Sequence, residues 1–246
     1  MEREVLNILP YVENPQRYLG REINVYRKNF SECRVKFALC YPDLYEVGMS
    51  SLGLRIIYGL LNEMEGVVCE RFFVPFHDME SIMIKEKIPL FTLESKLPVK
   101  KFDLVGFSIS SELNYTNFLN LLYLSQIPIF AEDRSEEDPI VIVGGNCAFN
   151  PFPLLPFVDL FVIGEGEDVI KEIVEVFEEM KGKSRFEILS QFSNIEGVFV
   201  PIMKRKVRKR KVSNLNESFF PVRWLVPLTE IIHDRITLEI MRGCVQ

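Results

Sequence analysis

The sequence predicts an α/β protein with a doubly wound, mainly parallel sheet of five strands. Three observations predict this class. Short apolar segments rich in β-formers alternate five times with segments whose apolar residues recur at helical spacing. The apolar segments are continuous, which is typical of parallel strands that are buried on both faces. Glycine and proline residues separate the two kinds of segment.

The first strand and helix enclose a loop at the expected ligand edge of the sheet. Residues 35–41 form the strand, and Pro42-Asp43 ends it. A helix then opens on Ser50-Ser51, with apolar residues along one face. Ligands of open α/β sheets bind outside the carboxyl ends of the strands, so we expect residues 42–51 to contact any bound small molecule.

Four further strands complete the predicted sheet, each a short apolar segment before a turn. These strands are 67–75, 103–110, 140–143 and 158–163. The later helices predicted from apolar spacing are 77–87, 112–126 and 168–181. Pro151, Pro153 and Pro156 exclude a long regular helix between the last two strands.

The sequence predicts that the chain is divided into four parts. Residues 1–32 form an N-terminal arm that packs on something larger, and residues 33–184 form the sheet domain. Residues 185–230 form a linker with a basic strand or hairpin. Residues 231–246 contain a strand at 235–241 that enters a second domain. A strand without a helix after it is half a unit, so we expect the natural sequence to continue.

Composition favours a folded protein of a reducing compartment. The chain is 48% apolar and 12% aromatic, which supports a full core. No apolar run approaches the ~20 residues of a membrane span. Five cysteines, an odd number without metal-type spacing, indicate a reducing compartment, so we expect a soluble cytoplasmic protein that does not bind membranes.

Charge is unevenly distributed. Residues 204–211, KRKVRKRK, hold seven of the 29 basic residues and no acidic one. The rest of the chain, with 22 basic against 35 acidic residues, has a net charge of −13. An acidic body does not favour nucleic-acid binding, whereas the run itself is able to bind phosphate. No aromatic residue separates its charges, which favours a solvated strand or hairpin over phosphate binding.

The loop after the first strand has the spacing Asp43-x-Tyr45-x-x-Gly48. It resembles the D-x-H-x-x-G motif of cobalamin-binding domains, in which the His ligates cobalt and the Asp holds the other ring nitrogen. Tyr45 stands in the place of that His, and a phenol with a pKa of about 10 is a poor ligand at neutral pH. Histidine ligation is therefore excluded at this position, whereas cobalamin bound without a protein ligand is not.

Polar residues and glycines follow the other strands at the same edge of the sheet. They are Ser108 and Ser110 after the third strand, Gly144 and Gly145 after the fourth, and Glu165, Gly166 and Glu167 after the fifth. These loops fit a flat ligand with polar edges, because glycine permits close backbone approach and the side chains bind the rim. The alternative is structural, since paired glycines form turns and a Glu at a helix start complements the dipole.

Familiar catalytic and nucleotide-binding motifs are absent from the sequence. His77 and His233 each precede an Asp, but no nucleophile motif accompanies them. Cys40 and Cys147 lie at strand ends, where buried thiols are expected. Neither G-x-x-x-x-G-K-[ST] nor G-x-G-x-x-G occurs, which disfavours ATP and NAD.

Several blocks of sequence together resemble a known family. The blocks are YPDLYEVGMSSLGLRIIYGLLN, ELNYTNFLNLL, VGGNCAFNP, FVIGEGEDVI and HDRITLEIMRGC. They resemble the N-terminal part of an uncharacterised family of radical S-adenosylmethionine (SAM) proteins. In that family a Rossmann-like, cobalamin-binding-like domain precedes a radical SAM barrel. The resemblance covers about residues 5–246.

The resemblance implies a metal ligand near the end of the chain. Cys244 looks like the first cysteine of the C-x-x-x-C-x-x-C motif, in which three thiolates hold a [4Fe-4S] cluster and the fourth iron binds SAM. Electron transfer then cleaves SAM to a 5′-deoxyadenosyl radical. The other two cysteines are not in this chain, so we expect it alone to be inactive.

Three functional hypotheses follow. The first is the cofactor- or substrate-binding domain of a radical SAM enzyme, with an unknown substrate and with cobalamin disfavoured by Tyr45. The second is a binding module that has lost cobalamin and positions a substrate or partner over its own barrel. The third is recognition of RNA or a ribosome-associated target through residues 204–211.

Overall fold

The structure is a computed structural model of the chain and describes residues 1–243. Its centre is a sheet of six strands. The strands are β1 (Val35–Cys40), β2 (Val67–Phe72), β3 (Leu104–Ser108), β4 (Ile140–Gly144), β5 (Leu160–Val162) and β6 (Val198–Phe199). Their order is β2-β1-β3-β4-β5-β6, and all neighbours are parallel except β5 and β6. The predicted fold class is confirmed.

Helices cover both faces of the sheet. They are α1 (Glu2–Ile8), α2 (Tyr45–Gly48), α3 (Leu52–Glu63), α4 (His77–Glu86), α5 (Tyr115–Leu124), α6 (Gly166–Glu179) and α7 (Arg185–Phe192). Helices α3, α6 and α7 pack on one face, and α4, α5 and the N-terminal arm pack on the other. None of the helices in residues 1–243 is both long and apolar enough to cross a membrane.

The strands are apolar throughout because each contributes to two cores. In β1, Phe37 and Leu39 face the core with α3 and α6, whereas Ala38 and Cys40 face the core with α4 and α5. Side chains alternate between the faces of a strand, so a strand with helices on both faces needs apolar residues at every position. The uninterrupted apolar runs in the sequence follow from this burial.

Between β4 and β5 the chain makes two 3₁₀-helical turns, Asn146–Phe149 and Phe152–Phe157. Pro151 precedes the second turn and Pro156 lies inside it. Proline lacks the N–H that an α-helix requires, so the absence of a long helix here is the expected result.

The α/β domain continues beyond residue 184, where the sequence placed its end. Ser184 and Glu187 form a reciprocal capping box at the start of α7, which buries Ile188 and Phe192 in the core with α3 and α6. Strand β6 then pairs with β5 in the antiparallel direction. A strand of two residues has no measurable periodicity, which is why the sequence did not reveal it.

Two expected strands do not form within residues 1–243. The basic segment 204–211 makes only a single bridge, between Gly164 and Arg210. Residues 235–241 are in no strand, and the side chains of Ile236, Leu238 and Ile240 are exposed. A strand requires a neighbour for its backbone hydrogen bonds, and apolar alternation alone does not provide one.

The free edge of β2 is closed by side chains and a loop. The Asn62 amide donates to the Cys69 carbonyl at 3.0 Å and accepts from the Cys69 N–H at 3.1 Å. Farther along β2, the Leu93 N–H donates to the Arg71 carbonyl at 2.7 Å, and the Arg71 N–H donates to the Glu94 carboxylate at 2.8 Å. These bonds occupy the groups that an edge strand would otherwise offer to another chain.

The side chain of Arg71 is fully buried between two carboxylates. Its Nη2 lies 3.0 Å from Glu22 of the N-terminal arm, and its Nε lies 2.7 Å from Glu94. The guanidinium also lies over the ring of Tyr58, 4.9 Å from the centroid. Burial raises the pKa of Glu22, but the charge of Arg71, together with the hydrogen bonds that the carboxylate accepts, leaves the pKa below its ordinary value. The arm and the loop around Glu94 are thereby fixed against β2.

Replacement of Arg71 by Met is expected to destabilise the fold by about 3–5 kcal/mol, because two carboxylates would stay buried without their counter-charge. Urea denaturation measures this loss. Arg34→Met is the matched control, because Arg34 is half exposed and pairs with Glu178 at the surface, where ion pairs contribute little. Equal urea midpoints for Arg71→Met and the unmodified chain would contradict the role of Arg71 as the buried counter-charge of Glu22 and Glu94.

Lys96 predicts a pH dependence of stability. Its Nζ donates to the Leu19 carbonyl at 2.8 Å, and burial lowers its pKa from 10.5 to about 8. The folded chain therefore binds fewer protons than the unfolded chain between pH 8 and 10.5. The stabilising contribution is present above pH 10.5 and is lost as the pH falls through 8.

Relative to Lys96→Met, the unmodified chain should gain about 1.4 kcal/mol of unfolding free energy per pH unit in this window. Denaturation of both proteins across the window measures the difference. A difference that does not change with pH would show that Lys96 does not titrate there.

Candidate functional site

A cleft of about 390 Å³ opens at the carboxyl edge of the sheet, between α3 and α6. This volume lies within the range of small-molecule sites. Its floor is apolar, with Leu39 of β1, Ile142 of β4, Val162 of β5 and the backbone of Gly106 in β3. The strand order reverses between β1 and β3, and ligands of open α/β sheets bind at such a switch point.

Glycines form much of the rim of the cleft. Gly145 and Gly164 have φ angles of +91° and +118°, and a Cβ at Gly164 would overlap the carbonyl oxygen of Arg210. A Cβ at Gly144 or Gly166 would meet its nearest neighbour at 3.8 or 3.5 Å, which is ordinary contact. At positions 145 and 164 glycine is required by the positive φ angle of the backbone. At positions 144 and 166 the absence of a side chain keeps the wall of the cleft open.

Charged side chains stand at the mouth of the cleft. The group consists of Glu165, Glu167, Glu239 and Arg242. Arg242 donates to the two oxygens of Glu239 at 2.9 and 2.7 Å and also to Glu167, and its Nη1 lies 3.8 Å from Glu165. The hydrogen bond to Glu239, followed by that to Glu167, raises the pKa of Arg242 despite partial burial. With every group ionised the mouth has a charge of −2, which favours a cationic ligand group.

The structure brings six predicted site residues to this one cleft. They are Ser108, Gly144, Gly145, Glu165, Gly166 and Glu167. Ser110 is exposed and lies outside the lining, because the chain has left β3 before this residue. Contact between the six residues and a ligand stays a prediction.

The loop after β1 is separate from the cleft. Tyr45 is 2% exposed, its hydroxyl donates to Glu22 at 2.9 Å, and its ring packs edge-on against Phe73. Burial, followed by the negative charge of Glu22, raises the pKa of Tyr45 far above its usual range. A Cβ at Gly48 would overlap the Phe73 ring, so Gly48 permits this packing.

Asp43 also has structural partners. Its carboxylate accepts from the Leu44 N–H at 2.8 Å and from the Asn114 amide at 3.1 Å. It therefore joins its own loop to the turn before α5. Asp43, Tyr45 and Gly48 belong to the loop 42–51 that was expected to contact a small molecule, and none of the three lines the cleft, so their contact with a ligand stays a prediction.

Sequence reasoning missed the contributions of Glu239, Arg242 and Asn146 to this cleft. Glu239 and Arg242 lie about 70 residues or more from the other carboxylates, and no local pattern encodes such a contact. The block HDRITLEIMRGC was the available signal, since it singled out the segment without indicating where it docks.

Cys244, the predicted cluster ligand, lies outside the described residues. Within residues 1–243 no group of three or more His, Cys, Asp or Glu side chains is arranged to hold a metal ion. Cys40 and Cys69 are fully buried in strands, and burial raises the pKa of both thiols well above its ordinary value. Protonated thiols are poor ligands, so the described residues by themselves do not fit an iron–sulfur cluster.

A larger groove of about 980 Å³ lies at the opposite edge of the sheet, near Asp103, which precedes β3, and Ile140, the first residue of β4. Two of its lysines are paired with carboxylates that also line the groove. Lys100 lies 2.9 Å from Asp138, and Lys181 lies 3.4 Å from Asp103. The smaller cleft is the better candidate site, because it lies at the switch point and combines an apolar floor with polar groups at its mouth.

Comparison with known proteins gives one match. A family model described as "Radical SAM proteins, N-terminal" matches residues 53–201, which is 149 of the 246 residues. The matched region runs from α3 through β6 and includes the loops after β3, β4 and β5. No curated protein matches the chain, and no solved structure matches it.

Tyr45→His and Tyr45→Phe are both expected to destabilise the fold by about 1–3 kcal/mol, because the carboxylate of Glu22 loses a buried hydrogen-bond donor or has it displaced. Neither variant should ligate hydroxocobalamin, since residue 45 faces Glu22 rather than the cleft. Denaturation and visible-spectrum titration measure the two effects. A spectral change confined to Tyr45→His would contradict the placement of this side chain.

Proposed function

This chain belongs to the family of radical SAM proteins whose N-terminal region the matching model describes, and from that premise we propose that it is the N-terminal ligand-binding domain of a radical SAM enzyme. The observation that supports the proposal is the contact of Arg242 with Glu165 and Glu167. A single glycine separates Arg242 from Cys244. The contact therefore ties the start of the expected cluster loop to the mouth of the cleft.

Family membership implies a [4Fe-4S] cluster and SAM as cofactors. Three thiolates would hold such a cluster, which when bound would supply the electron for radical formation from SAM. We propose Cys244 as the first thiolate ligand, with the other two on a barrel that follows this chain. Apart from Cys244, the residues of the present chain are proposed to bind and orient the reacting molecule rather than the metal.

The cleft suits a ligand with an apolar face and a cationic group. The floor of Leu39, Ile142 and Val162 excludes water from a flat apolar surface. Glu165 and Glu167 offer carboxylate oxygens to a positive charge at the mouth. A substrate held there lies beside the segment that leads to Cys244, which is the arrangement that a short-lived radical requires.

A second candidate is a binding module that works without cobalamin. It is favoured by the packing of Tyr45, which stands where cobalamin-binding domains have their cobalt ligand but bonds to Glu22. In this case the same cleft positions a substrate or partner for the barrel. If the unmodified chain retains hydroxocobalamin on gel filtration, the result favours a domain that binds cobalamin as a cofactor. If hydroxocobalamin separates from the chain, the result favours the binding module.

The reading frame after Gln246 gives the first test. We expect a glycine followed by Cys-x-x-Cys, which would complete the ligand set that begins at Cys244. A frame without two further cysteines at this spacing would overturn the cluster proposal.

In the protein encoded by the complete frame, Cys244→Ala should abolish cluster assembly, measured as iron and sulfide bound after anaerobic reconstitution. Arg242→Met should retain the cluster but speed hydrogen exchange in residues 228–243, because the segment loses its contacts with Glu165 and Glu167. SAM cleavage should fall by roughly 10- to 100-fold, since small displacements of reacting groups have effects of this size.

Arg235→Met is the control for the Arg242 variant. Arg235 is exposed and is in no ion pair within the part of the chain that the structure describes. Its replacement should change neither hydrogen exchange nor cleavage. Unchanged exchange in Arg242→Met would refute docking of the loop, and full iron content in Cys244→Ala would refute the ligand assignment.

A further inference from the structure

A surface that combines cations and exposed aromatic rings borders the cleft, and we propose that it binds single-stranded nucleic acid. Its basic part is the segment 204–211, and its aromatic part is formed by Phe149 and Phe152 in the loop after β4. We call these residues together the basic–aromatic surface. Nothing in the proposed cleft chemistry uses them.

Arg210 anchors the basic segment beside the end of β5. Its N–H donates to the Ile163 carbonyl at 2.9 Å, and its carbonyl accepts from the Glu165 N–H at 3.2 Å. Its guanidinium lies 2.5 Å from Glu172 and 3.6 Å from Glu196. Arg210 is therefore the member of the run that faces the domain, and it fixes the position of its neighbours along the rim of the cleft.

The other cations of the segment face solvent. They are Lys204, Arg205, Lys206, Arg208, Lys209 and Lys211, all exposed. Among residues 1–243, none of the six is in an ion pair. Lys100 and Lys181 elsewhere on the domain have carboxylate partners, whereas this described segment places six cations without such a partner within eight residues. The segment thus offers a concentration of positive charge that the protein itself does not neutralise.

The fold supplies aromatic rings that the basic segment lacks in sequence. Lys209 Nζ lies over the ring of Phe149, 5.0 Å from its centroid. The side chain of Phe149 is 50% exposed, and that of Phe152, in the next 3₁₀ turn, is 77% exposed. The sequence alone argued against nucleic-acid binding because no aromatic residue separates the charges. Two chain segments together provide this combination.

The combination of exposed cations and exposed aromatic rings suits single-stranded nucleic acid better than other polyanions. Cations attract the phosphates, and exposed ring faces stack with bases of any sequence. The acidic side chains of a peptide have no aromatic face to stack on Phe149 and Phe152. An anionic membrane would face the rest of the chain as well, whose net charge of −13 repels it. A single-stranded nucleic acid is narrow enough to contact the basic–aromatic surface without facing the acidic rest of the chain.

Fluorescence anisotropy of the 246-residue chain with a labelled 12-nucleotide oligouridylate, and with its DNA equivalent, tests the proposal. The triple variant Lys204→Gln, Lys206→Gln, Arg208→Gln should weaken binding at least tenfold at low salt. It should also lower the slope of log affinity against log salt by about 2, as expected for three lost phosphate contacts on a single strand.

The control triple variant is Arg3→Gln, Arg27→Gln, Lys85→Gln, which makes the same change of net charge at exposed positions elsewhere. It should retain affinity and salt slope. Equal losses in the two triple variants would overturn the proposal, because they would reduce the effect to net charge.

Phe149→Leu and Phe152→Leu test the aromatic part. Each should weaken binding about fivefold or more without changing the salt slope, because stacking is lost while phosphate contacts remain. Phe149→Tyr should restore affinity. Phe130→Leu, at a 47% exposed ring that packs on Phe157, is the control and should have no effect.

Three results would overturn the assignment. The first is no binding to either oligonucleotide. The second is displacement of the probe by polyglutamate as effective as displacement by unlabelled oligonucleotide, which would indicate an acidic protein partner. The third is binding to anionic vesicles that depends on Lys204, Lys206 and Arg208 while oligonucleotide binding does not.

Discussion

Strand β2 lies at the edge of the sheet and is nevertheless buried along its whole length, and the guanidinium of Arg71 is the interaction on which this depends. A buried cation is tolerated only where carboxylates reach it, and here they come from two distant segments, Glu22 of the arm and Glu94 of a loop. Both segments must therefore lie against β2. The buried ion pairs of Arg71, despite the desolvation free energy that they cost, fix the arm and the loop around Glu94 over β2. The edge of the sheet at β2 is thereby covered.

The same cluster explains why the loop after β1 does not take part in the cleft. Glu22 accepts from the hydroxyl of Tyr45 as well as from Arg71. Tyr45 therefore extends the buried network by one more hydrogen bond instead of facing the cleft. The polar groups available to a ligand are consequently those after β3, β4 and β5, around Ser108, Gly144 and Glu167.

Local patterns were enough to predict the fold class and the five parallel strands, because uninterrupted apolar runs and helical spacing are properties of neighbouring residues. They also predicted which strand-end residues gather at one edge, since parallel strands place their carboxyl ends together. The direction of Tyr45 was not predictable, because it depends on Glu22, 23 residues earlier in the chain. The docking of Arg242 was not predictable either, since its partner Glu167 is 75 residues away.

The contact between Arg242 and the carboxylates of the cleft makes two events thermodynamically dependent on each other. A cationic ligand that takes Glu165 or Glu167 competes with Arg242 for the same oxygens. Linkage makes this competition reciprocal. The factor by which the ligand weakens docking of the segment equals the factor by which undocking of the segment tightens ligand binding. For a cationic ligand of the proposed kind, occupancy of the cleft and the position of the chain segment around Arg242 are thus one coupled equilibrium.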